Sequence, residues 1–226
     1  MSRIYNYEGP VFTFLSKLAD LFWLNLLFII CCIPVITIGA STTALYYVTL
    51  KMAKDEEGYI TRSYFKSFKE NIVQATAIWL GILVAAVILL MDLRVVNSGN
   101  ITEAFNSSMP GNIITVAVFV MGIVLLMICT YVFPILAQFD NSIKNTVKNS
   151  FLISIRHLPY TVLIQVITVL PVVFIWLFPV MLLLVLILFS ATAYINSRFY
   201  NKIFKLYMPK DYSDPAGELN GENGEE

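Results

Sequence analysis

Charge is what this chain of 226 residues has least of. Charged side chains make up 13% of it, against roughly 25% in a soluble domain. That shortage excludes a water-facing globule of ordinary composition. The formal net charge is zero, so no overall field gathers nucleic acid. Histidine is nearly missing as well: His157 stands alone. A lone imidazole builds no zinc site without further ligands at suitable spacing, and His157 has no nucleophile nearby in sequence to activate. The cysteines are Cys31, Cys32 and Cys129, all inside apolar runs. Adjacent cysteines suit neither a metal cage nor an ordinary disulfide, so these read as small buried hydrophobes. The chain has no G-x-x-x-x-G-K-[ST], H-E-x-x-H, C-x-x-C or G-x-S-x-G. No catalytic residue, cofactor or metal is therefore nominated, and the expectation is a protein that is not an enzyme. For a lipid-modifying enzyme the best candidates would be Asp20, Asp92 and His157, which the topology below puts on opposite sides of a membrane.

What is present is apolar length. Hydrophobic residues are 58% of the chain and the mean hydropathy is +0.75. They fall in runs near the 20 residues or so that cross a bilayer: 12–33, a shorter 38–53, 72–91 and 113–137. Tyr160 to Ile195 follows, 36 residues without a charge. That is too long for one crossing, and Pro171 and Pro179 divide it into helices over about 159–177 and 180–200. Glu8, Pro10, Lys17 and Asp20 interrupt the first twenty residues, so the first helix reads as retained and not as a cleaved signal. The fold class is all-α, a polytopic transmembrane bundle of six helices, over a single domain 1–210. Six crossings put every lysine and arginine except Arg94 on the cytoplasmic side, as the positive-inside rule asks. The alternative has five crossings, with 12–53 as one crossing plus a re-entrant piece. It moves Arg3 and Lys17 outside. Residues 211–226 carry six acidic and no basic side chains and read as a disordered cytoplasmic tail.

Two cytoplasmic stretches echo each other. ITRSYFKSFKENIVQAT (60–76) places Ile60, Tyr64, Phe68 and Ile72 every fourth residue. IKNTVKNSFLISIRHLPYT (143–161) does the same with Ile143, Val147, Phe151 and Ile155. Such spacing keeps side chains on one helical face. Both read as short amphipathic entry helices, lying at headgroup level or running straight into the membrane. Phe65 also superposes on Phe151, which suggests a helix-plus-span unit used twice. Phe65, Phe68 and Lys69 are the candidate surface for a cytoplasmic partner, beside membrane anchoring, which needs no partner.

One stretch changes character midway: NLLFIICCIPVITIGASTTALYYV, residues 25–48. Pro34 interrupts a greasy helix, and Thr37, Gly39, Ser41, Thr42 and Ala44 form a stripe of small and hydroxyl side chains. Small residues let helix backbones approach closely in lipid. Alternatively, broken backbone from Pro34 to Gly39 lines a solute cavity, as in transporters.

The segment NLLFIICCIPVITIGASTTALYYVTLKM, the entry YFKSFKEN and a span closing on MDLR resemble the YesL-like family. These are bacterial integral membrane proteins of unknown function. The likeness covers most of residues 8–210 and is strongest from 21 to 94. It implies a bacterial plasma membrane and an association with binding-protein-dependent sugar importers. It assigns no catalytic residue. The partners expected are the lipid bilayer and a carbohydrate ABC transporter or membrane sensor, without nucleic acid. The leading function is a non-catalytic accessory protein with both termini cytoplasmic. The alternative is a passive permease or channel for a small neutral solute.

Overall fold

The computed structural model describes residues 10–56, 58–97, 109–177 and 185–208. Among them there are seven α-helices and no strand: α1 (Pro10–Cys32), α2 (Ile38–Met52), α3 (Ile60–Asn97), α4 (Met109–Gln138), α5 (Ile143–Arg156), α6 (Leu158–Leu177) and α7 (Val185–Phe204). The acidic tail and Pro179 lie outside the described residues. The protein is an all-α membrane bundle, because α1, α3 and α4 are each long and apolar enough to cross a bilayer. The pair α5 and α6 supplies one more such segment if taken together, bent by 104°.

The expected count of six crossings is not reached among the described residues. Helix α2 has 15 residues, about 22 Å at 1.5 Å each, short of the roughly 30 Å hydrocarbon core. Chain geometry explains its shortness. Pro34 cannot donate a helical hydrogen bond, so α1 stops and one 3-10 turn, Val35–Thr37, reverses the chain. The Thr37 hydroxyl closes that turn, within hydrogen-bond distance of the Cys31 and Pro34 carbonyls at 2.7 and 2.8 Å. Lys17 Nζ then meets Asp55 Oδ1 at 2.6 Å, so the second turn of α1 and the end of α2 lie at one level. The tip of this hairpin is fixed by Trp79, whose Nε1 donates to the Val35 carbonyl at 2.8 Å. Trp79 lies seven residues past Ile72, where the apolar stretch of α3 begins, or about 10 Å in. The α1–α2 hairpin thus dips part of the way along α3 and returns. Beyond it α3 and α4 continue, with Val84, Ile88, Met91, Val116 and Phe119 exposed.

The entry helix over 60–76 is not separate. It merges with its span into the 38 residues of α3, while the second entry helix, α5, stays distinct. Prolines inside helices are handled locally. Pro134 sits within α4 and has no N–H for the Thr130 carbonyl. Tyr200 Oη donates to that carbonyl instead, at 2.6 Å.

Helix α2 closes with a built cap. Glu56 N bonds the Lys51 carbonyl and Asp55 N the Met52 carbonyl. Asp55 sits at φ 58°, the left-handed conformation such a helix end requires, which aspartate tolerates better than most residues.

Candidate functional site

The small-residue stripe of α2 is used for contact between helices. Helix α2 is the hub of the bundle, packed against α1, α3, α4 and α7. Gly39 is buried against α3 so closely that a Cβ there would stand 2.5 Å from the Ala75 carbonyl oxygen and 2.7 Å from Trp79 Cβ. Ala40 and Ala44 are fully buried. Ser41 Oγ bonds the Phe28 carbonyl at 3.1 Å and Tyr64 Oη at 2.6 Å, joining α1, α2 and α3 through one hydroxyl. Thr42 and Thr43 turn back to their own helix, donating to Ile38 and Gly39 carbonyls. Pro34 is exposed at the hairpin tip.

Further polar ties join α7 to α2 and to α1. Ser197 Oγ donates to Thr49 Oγ1 at 2.8 Å, and Asn201 Nδ2 to the Leu50 carbonyl at 2.9 Å. Ser190 Oγ donates to the Leu21 carbonyl at 2.6 Å. In hydrocarbon an unsatisfied polar group is costly, so these bonds fix which helix meets which. Each is worth on the order of 1 kcal/mol. None of these side chains is ionisable at neutral pH or a nucleophile beside a base. They hold a structure.

The partner surface read from sequence is split by the fold. Phe65 is 38% exposed and Lys69 is exposed, and with Arg62 and Lys66 they edge a shallow groove of about 580 Å³. Phe68 turns inward and stacks on Tyr64 with ring centroids 6.3 Å apart. Its every-fourth spacing with Tyr64 places it in the core.

A polar basin of about 560 Å³ opens where the end of α2, the first part of α3 and the end of α4 meet. Lys51, Lys66, Glu70, Gln74, Gln138 and Asp140 are among its lining. Lys51 Nζ lies 4.5 Å over the Tyr47 ring. Carboxamides and charges of both signs give donors and acceptors without a dominant field. Such a wall can hydrogen-bond a polar partner segment. The sequence carried a signal for it, because Lys66, Glu70 and Gln74 fall every fourth residue on α3.

Asp20, Asp92 and His157, the candidates for a lipid-modifying enzyme, are not brought together. Asp20 lines a small cavity of about 270 Å³ with Trp23, Lys51 and Ser63. Asp92 lies at the far end of α3, on the order of 45 Å along the helix from Ile60. His157 Nε2 is 3.1 Å from Tyr207 Oη, at the corner between α5 and α6. Among the described residues no group of three or more His, Cys, Asp or Glu is placed to hold a metal. Near Lys17, the Asp55 carboxyl is held below the usual aspartate range by its hydrogen bond to that ammonium and by its charge.

The profile of a protein family described as "Protein of unknown function, DUF624" matches residues 21–93. That segment begins in α1, covers the hairpin and its small-residue stripe, and ends within the last turns of α3. No curated protein matches this chain, and no solved structure does.

Proposed function

We propose that this integral membrane protein is a non-catalytic accessory subunit that acts through its polar end on a carbohydrate importer or a membrane sensor. The observation that supports it is the polar basin between α2, α3 and α4, with the Phe65–Lys69 groove on the same α3 helix. The side chains there suit contact with another polypeptide and include no paired acid, base and nucleophile. The sugar context and the bacterial plasma membrane rest on the YesL-like resemblance, and the cytoplasmic placing of this end rests on its lysines and arginines.

The permease reading rested on the stripe from Pro34 to Ala44. Gly39 and Ser41 are spent on helix contacts, which weighs against it. The experiment is crosslinking and affinity purification of the full-length protein from its native membrane, followed by mass spectrometry and a sugar-uptake assay. The expected result is recovery of an importer subunit or sensor, lost together with normal uptake when Glu70→Lys and Gln74→Lys are combined. Recovery of the protein alone, with uptake unchanged in that variant, would end the proposal.

A further inference from the structure

The corner between α5 and α6 holds a second feature, which adjoins the basin at Phe139 and Asn141. A groove of about 670 Å³ runs along α5 and the end of α4. Its walls are largely apolar, with Ile135, Phe139, Leu152 and Ile155 among them. Leu152 and Ile155 are 52% and 47% exposed. Asn149 and Arg156 supply its polar points.

Its position in the bundle says what it meets. Helix α6 leads away from the corner as a charge-free apolar helix. Helix α5 is bent from it by 104°, so an α6 that crosses the bilayer lays α5 near the membrane plane. The face of α5 turned to the bundle is made of Thr146, Ser150, Ile153 and Ser154. Of the larger apolar residues, Ile143, Leu152 and Ile155 face outward, while Val147 packs against the core. That inversion suits a helix bathed in acyl chains. Arg156 ends the helix. The guanidinium carbon lies 5.8 Å over the Tyr207 ring, and among the described residues no carboxylate stands within ion-pair distance. It is an exposed cation at the polar edge of an apolar trough.

We propose that this groove is a binding site for an anionic phospholipid. Acyl chains lie along Phe139, Leu152 and Ile155, Asn149 meets the glycerol esters, and the phosphate takes charge-assisted hydrogen bonds from Arg156. The guanidinium fork matches two phosphate oxygens, as a lysine ammonium would not. The apolar trough selects a lipid over a free anion, and the cation selects an anionic headgroup.

The test uses the full-length protein in neutral detergent, titrated with dioleoyl phosphatidylglycerol or dioleoyl phosphatidylcholine. Bound lipid is counted by native mass spectrometry. The site predicts at least fivefold tighter retention of phosphatidylglycerol. Arg156→Gln should lower that affinity about tenfold and leave phosphatidylcholine unchanged, and Arg156→Lys should recover part of the loss. Leu152→Glu, which sets a carboxylate against the acyl chains, should expel phosphatidylglycerol while circular dichroism in detergent stays unchanged. Lys144→Gln, on α5 but outside the groove, should have less than a twofold effect. Equal retention of both lipids, or an Arg156→Gln protein indistinguishable from the parent, would overturn the assignment. So would displacement of the lipid by millimolar inorganic phosphate, which would mark a free-anion site.

Discussion

Helix α3 and the pair α5–α6 begin from one pattern and end in opposite arrangements. Setting Ile60 against Ile143 aligns Tyr64 with Val147, Phe68 with Phe151, Ser67 with Ser150 and Ile72 with Ile155. In α3 the large side chains of that pattern turn inward, with Tyr64 fully buried. In α5 the two ends of that pattern turn out, with Ile143 and Ile155 exposed, while Val147 packs against the core and the hydroxyls of Thr146, Ser150 and Ser154 are buried. One helix then runs straight for 38 residues, and the other breaks by 104°.

The same alignment shows the cause of the break. Pro159 stands where α3 has Thr76. A proline there lacks its N–H and would clash with the Ile155 carbonyl in a continuous helix. His157 adopts φ −117°, ψ 40° and the axis turns. The turn removes the helical donor from the Ser154 carbonyl. Thr161 Oγ1 donates to it at 2.9 Å, and the Tyr131 hydroxyl, 3.1 Å away, can donate to Thr161 in turn. What differs between the two regions is thus one proline and a local set of hydroxyls that satisfies the freed backbone.

The largest expected effect comes from giving α3 the proline of α6. Thr76→Pro should cost about 3 kcal/mol or more, read as a loss of folded protein in an SDS-unfolding titration. A cost under 1 kcal/mol would mean α3 is not held straight by its own hydrogen bonds. Next is Gly39→Ala, whose Cβ meets Ala75 O and Trp79 Cβ. Forcing α2 from α3 should cost about 1–3 kcal/mol in the same titration, and an unchanged midpoint would show that the two helices separate freely. The reverse exchange, Pro159→Thr, should narrow the bend with a smaller change in stability. Double electron–electron resonance between nitroxides on α5 and α6 should then report a longer distance, as the two axes approach one line. Thr161→Val leaves the Ser154 carbonyl without its donor and should cost about 1 kcal/mol, while Ser197→Ala, far from the bend, leaves the α5–α6 distance untouched.

The smallest effect belongs to the hairpin that braces α3. The Asp55 carboxyl titrates below its ordinary range because of Lys17, so the contribution of the pair is present above the ordinary aspartate pKa and lost as pH falls through the lowered one. Asp55→Asn should lower the melting temperature slightly at pH 6. The difference should disappear in strong acid and shrink in high salt, because the carboxylate is exposed.

Much of the bundle was legible from apolar run length alone, since that is what a bilayer selects. The break at Pro34 was legible too, because proline acts through its own covalent chemistry, whereas the sequence left open whether α5 turns or runs straight into its span. The depth of the α1–α2 hairpin was not. It depends on where Trp79 finds the Val35 carbonyl, a contact 44 residues apart. The face of α5 was misleading for a deeper reason. In water an every-fourth apolar stripe points to the core, but at a membrane surface lipid receives it equally well, so sequence spacing does not say which way it turns. Phe65 and Phe68 differ in the same way, and only the position of Tyr64 decides that Phe68 is inside.

That inversion is measured most directly by nitroxide accessibility in reconstituted vesicles, using labels at Phe68, Leu152 and Ile155. Labels at Leu152 and Ile155 should collide with oxygen far more than with a water-soluble nickel chelate, and the label at Phe68 should be shielded from both. An oxygen-accessible Phe68 beside occluded Leu152 and Ile155 would contradict the account.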